Sequence, residues 1–116
     1  MTVGFQTNPL PRDPNAKEIQ GVFRTMADGS KNVTTAGTAV PLVATSTECK
    51  RVDVTARINN TDVVVVGAST VVAASGTRRG VPLLPGATYT FYPTDLADVY
   101  IDSVVSGEGV SFVYFD

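Results

Sequence analysis

Histidine and tryptophan are absent from these 116 residues, and cysteine occurs once. Without histidine the chain lacks the side chain most often used as a general base near neutral pH, together with the usual imidazole metal ligands. The lone Cys49 cannot close an intramolecular disulfide, so packing must hold the fold. It lies between Glu48 and Lys50, just before an expected strand, and reads as an inert thiol. No apolar run approaches the ~20 residues of a membrane helix. The opening MTVGFQTNP has neither the basic nor the apolar region of a secretory signal. The expectation is a soluble protein with no export signal and no membrane partner.

Catalytic and phosphate-binding patterns are missing as well. Serines and threonines have no histidine base, and no G-x-S-x-G turn occurs. The stretch GAST at 67–70 follows an expected strand but leads to no helix whose terminus could face a phosphate. Basic residues are absent from 80–116, where Asp95, Asp98, Asp102, Glu108 and Asp116 give a charge of −5. Residues 1–57 carry seven basic and five acidic side chains, a surplus of two positive charges. Nucleic acid is therefore not the expected partner, because phosphates need lysine and arginine. Asp95, Asp98, Asp102 and Glu108 could converge on a hard cation, but their spacing matches no EF-hand loop, and they read as solvated surface. No catalytic residue, cofactor or metal is expected, and the protein reads as a non-enzyme.

What is present points to β-structure. The composition is 43% hydrophobic and 17% charged, globular in character. Valine and alanine dominate the apolar set, and valine is stiff at its first torsion, which suits a pleated surface. A chain of this length fits one domain.

Two regions separate. Residues 1–32 hold no sustained period of two or 3.6. They contain Pro9, Pro11 and Pro14 within NPLPRDPNAKEIQG, and a turn signal at Asp28 and Gly29. Proline has no amide donor and restricts the residue before it, so 8–15 should be extended and outside any ladder. Yet Phe5, Leu10, Ile19, Val22, Phe23 and Met26 recur every few positions, as expected of an arm that lies along a surface. The expected contacts are Phe5, Leu10, Arg12, Ile19 and Phe23, with Arg78 and Arg79 in a glycine-bounded loop as secondary ones.

Residues 33–116 read as an all-β antiparallel sandwich of about seven or eight strands, jelly-roll-like or immunoglobulin-like. In RVDVTARIN (51–59), Val52, Val54, Ala56 and Ile58 alternate with polar residues, giving one dry and one wet face. The turn chemistry of NNTD at 59–62 precedes four valines at 63–66, and the two strands read as a hairpin. Residues 38–43 form a short strand that Pro41 confines to an edge, and 70–74 form another. A Pro-Gly turn at 85–86 precedes a strand through Tyr89 and Phe91. One helical turn is expected at 93–97, a strand at 99–101 and a last strand at 110–115.

The stretches GTAVPLVATSTECKRVDVTARINNTDVVVVGASTV (37–71) and GVPLLPGATYTFYPTDLADVYIDSVVSGEGVSFVYF (80–115) resemble small β-rich structural proteins of tailed bacteriophages. The shared ordering runs through the VPL stretch, the VVVG strand, the LLPG turn, DLADVYID and the terminal hydrophobic strand. PLPRDPNAKEIQGV (9–22) is similar to a segment that opens several phage virion proteins. The resemblance covers most of the chain and names no active site. It implies a decoration or cement protein on the capsid surface, made in the host cytoplasm and bound to the major capsid protein as a dimer or trimer. The proline-rich arm then reads as a pre-stiffened strap. The rival expectation is a receptor- or glycan-binding module of a tail or head fibre, with exposed aromatics near Tyr92 and Tyr100.

Overall fold

A computed structural model describes residues 25–116. Its strands are β1 (Met26–Asn32), β2 (Val40–Pro41), β3 (Arg51–Ala56), β4 (Val64–Gly67), β5 (Val81–Leu83), β6 (Thr88–Phe91), β7 (Tyr100–Ser103) and β8 (Gly109–Phe115). A 3-10 turn, Leu96–Asp98, stands between β6 and β7.

Strand β3 obeys the period of two. Val52, Val54 and Ala56 are fully buried, whereas Arg51, Asp53 and Thr55 face outward. Across the ladder Val54 lies opposite Phe112 of β8, which is buried, and Tyr89 of β6, which stays half exposed on the outer strand. The sheets have strand orders β1-β8-β3-β6 and β2-β7-β4-β5, with every pair antiparallel. The chain changes sheet at every connection but the one from β4 to β5. That is jelly-roll order, which decides between the two sandwich types expected.

This order overturns the expected hairpin. β3 belongs to the first sheet and β4 to the second, so residues 57–63 are a crossing between layers. The crossing is pinned far away in sequence. The Asn60 side-chain amide donates to the Gly109 carbonyl at 2.9 Å, and the Thr61 amide and hydroxyl donate to Glu108 at 2.6 and 2.7 Å. The expected strand at 70–74 is likewise not a strand; Val72 makes an isolated bridge with Arg79.

The boundary expected at residue 32 also moves. Met26–Asn32 is a full strand in register with β8, so the sandwich begins earlier than the sequence pattern suggests. No apolar alternation marks β1 because it is a mostly exposed outer strand. The apparent turn residue Gly29 sits in mid-strand opposite Phe112, and a Cβ there would stand 2.7 Å from the ring. Glycine clears space for an aromatic side chain rather than bending the chain.

The main core lies between the sheets and joins Val52, Val54 and Phe112 of the first to Val64, Val66 and Ile101 of the second, with Leu96 and Leu42. Val65 points the other way and is equally buried. Residues 68–80 fold over the outer face of the second sheet, and Val63, Val65, Val71 and Ala73 form a smaller cluster there with Ala39 and Tyr100. This covering is why the valine run is dry on both faces. Gly80, at φ +115°, closes the covering loop where a Cβ would meet Val71 and Val65 at 2.7 and 2.8 Å.

Candidate functional site

The outer face of the first sheet remains wet, and its rows follow from register. Asp28, Val113, Asp53 and Thr90 form one row; Ser30, Ser111, Thr55 and Thr88 form the next. Small hydroxyl side chains in the second row leave a shallow depression of about 300 Å³ bounded by Asp28, Asp53, Thr55 and Ser111. It adjoins a larger one, about 580 Å³, lined by Thr55, Arg57, Ile58, Asn59, Gly86 and Ser111. Thr55 and Ser111 belong to both, so the two form one trough along the face.

The trough carries both signs of charge. At one end Asp53 accepts from Arg51 twice, at 3.1 Å each, and from the Thr90 hydroxyl at 2.7 Å. Partial burial disfavours its ionised form, but the Thr90 bond and Arg51 outweigh that and hold the carboxyl below its ordinary value. The Arg51 guanidinium also lies over the Phe115 ring, 5.3 Å from its centroid. At the other end Arg57 has no ion-pair partner among the described residues. Beside it Ile58 is 85% exposed.

The exposure of Ile58 corrects its expected place on the dry face of the strand. The ladder ends at Ala56, and the chain turns at 57–60, where the Asn60 amide donates to the Arg57 carbonyl at 3.0 Å. The signal was the Asn-Asn pair directly after Ile58, which puts the isoleucine inside the turn.

Of the four carboxylates expected as solvated surface, Asp98 is exposed and the other three do different work. Asp102 is 1% exposed on the covered face of the second sheet, opposite Val65. Its carboxylate accepts from the amides of Gly37, Ala73 and Ser103, each at 2.9 Å, and so ties the covering loop and the turn at 35–38 to β7. Asp95 accepts from the Ser46 hydroxyl at 2.6 Å and from the amides of Thr47 and Ala97 at 2.9 Å; these bonds, the hydroxyl first, lower its pKa. Glu108 is lowered by the Thr61 hydroxyl, with the Thr61 and Asp62 amides adding to it against a smaller burial cost. These three carboxylates staple loops. Among the described residues no group of three or more metal-ligating side chains converges. Cys49 is buried, and burial pushes its thiol pKa up.

The residues expected as contacts fall in two places. Phe5, Leu10, Arg12, Ile19 and Phe23 lie outside the described residues. Arg78 and Arg79 are exposed on the loop over the second sheet, away from the trough. The Arg78 side chain donates to the Ala73 carbonyl at 3.0 Å, and Arg79 is held through its backbone to Val72. Where the arm joins is fixed: Thr25 and Asp116 exchange backbone hydrogen bonds of 2.9 and 3.1 Å, extending the ladder of β1 and β8 by one pair. Of the aromatics near the last loops, Tyr92 is 76% exposed while Tyr100 is half-buried in the smaller cluster.

No family model, curated protein or solved structure matches the chain.

Proposed function

We propose that the chain is a non-enzymatic structural protein of a tailed-phage particle. In this reading it decorates the outer surface of the assembled head, binding the major capsid protein and acting as a symmetric homo-oligomer, dimer or trimer. The observation that carries the reading is the joint at Thr25: a proline-rich, apolar-studded leader leaves a stapled jelly roll from a hydrogen-bonded position beside Asp116. A rigid block with a stiff strap suits adhesion. Specific interfaces bury roughly 1,200–2,000 Å², and an extended leader supplies area that a small sandwich lacks. Prolines reduce the entropy the strap loses when it docks. Jelly rolls recur in viral capsid and lectin domains, an analogy of fold that agrees with the sequence resemblance.

A receptor- or glycan-binding module is the second reading, and exposed Tyr92 favours it. Tyr100 is withdrawn into the covered face, which leaves no paired aromatic platform with it. The decoration reading is tested by adding full-length protein, or protein lacking residues 1–20, to heads devoid of it. Loss of the leader should weaken binding about tenfold or more; unchanged affinity would remove the strap from the account.

A further inference from the structure

We propose that the trough on the outer face of the first sheet receives the leader of a second copy of this chain, a contact that rests on the strap reading above. Three observations combine. The first is the trough itself, with Arg57 and the 85%-exposed Ile58 at one end. A solvent-facing isoleucine beside a cation with no ion-pair partner among the described residues suits an extended segment that offers an apolar side chain and a carboxylate.

The second is what lies outside the described residues. The 24 residues before Thr25 hold Ile19, Val22 and Phe23, with Glu18 directly before Ile19. They also carry both signs of charge, as the trough does, so Glu18 can pair with Arg57 while the apolar residues cover Ile58.

The third is direction. Thr25 continues the ladder of β1 and β8 at the end marked by Phe115 and Arg51, opposite the end where Arg57 and Ile58 lie. A leader that continues the line of β1 would therefore run beyond the sheet. To occupy its own trough the leader would have to reverse and run back along it. A neighbour's trough requires no reversal. Reach suffices, since Glu18 stands seven residues before Thr25, up to ~25 Å when extended, comparable to the ~24 Å of β8. Such an exchange is head-to-tail, and it closes into a ring when the rotation between copies permits.

The test uses the full chain in sedimentation velocity and disulfide trapping. Wild-type protein should self-associate, and Ile58→Asp should weaken association about tenfold or more. Arg57→Glu should weaken it, and adding Glu18→Arg to Arg57→Glu should restore it. Both trough positions lie on an exposed turn, and circular dichroism checks that the variants stay folded. In an oxidised mixture of Ile19→Cys protein with Ile58→Cys protein, covalent two-chain species should form beyond the amount either variant gives alone. A monomer at all concentrations, association indifferent to Ile58→Asp, or an Ile19→Cys/Ile58→Cys double variant that closes only within one chain would overturn the proposal. Head binding by a protein that stays monomeric would keep head decoration while rejecting this contact and the oligomer, so the two fail separately.

Discussion

The two sheets use valine and carboxylate differently. In the first, Val52, Val54 and Val110 line the inner face, and the outer face holds threonines, serines, Val113 and the Arg51 and Asp53 pair. In the second, Val64 and Val66 face the main core while Val65 faces a cluster closed by residues 68–80, and the carboxylate of Asp102 is buried among backbone amides. One sheet is thus a wall with a usable outer surface, and the other is sealed on both sides. The difference sorts the surfaces: the first sheet leaves its outer face open to solvent, whereas the second has both faces covered.

Substitutions should separate the two. The largest effect is expected for Asp102→Ala, which leaves the buried Ala73 amide and its neighbours without an acceptor and should cost about 3 kcal/mol. Val65→Ala, in the cluster beneath the covering loop, should cost about 2 kcal/mol. Both are read from urea unfolding, and an effect below ~0.5 kcal/mol in either would break the distinction. On the wet sheet, Asp53→Asn should cost only about 0.5 kcal/mol, because its partner is partly exposed and water screens the pair. Thr88→Val, which removes the 2.7 Å hydroxyl contact with Thr55, should stay within ~0.5 kcal/mol.

Acid provides a graded test of the staples. Asp53, Asp95 and Glu108 all have folded-state pKa values below their ordinary 3.8, 3.8 and 4.5. The folded state therefore binds fewer protons, and their contribution is complete above those ordinary values. It is lost as pH falls through the lower folded values. Stability should show no loss from these groups between pH 7 and 5 and should decline below about 4.5, and the Asp95→Asn and Glu108→Gln variants should flatten that decline. A loss already complete at pH 6 would contradict the assignment.

Much of the wet sheet was legible in sequence, since one solvated face leaves a period of two in RVDVTA and sets Tyr89 and Phe91 against Val54 and Val52. The valine run was legible as a strand too. What hid was long-range. NNTD looks like a hairpin turn, but its partners are Glu108 and Gly109, almost fifty residues away, and they carry the chain to the other layer. Asp102 looked like surface because nothing local names the Gly37 and Ala73 amides that hold it. Gly29 looked like a turn because the Phe112 ring it accommodates belongs to another strand. The trough was invisible for the same reason: Arg57, Ser111 and Gly86 meet only through the pairing of three strands and their turns. The leader was read from proline chemistry and apolar spacing alone.

Electron cryomicroscopy of the assembled head carrying this protein tests the central claim most directly. The account predicts continuous density for residues 1–24 packed against another polypeptide, with side chains such as Ile19 and Phe23 enclosed. Leader density that projects into solvent, touching no other chain while the sandwich makes every contact, would contradict it.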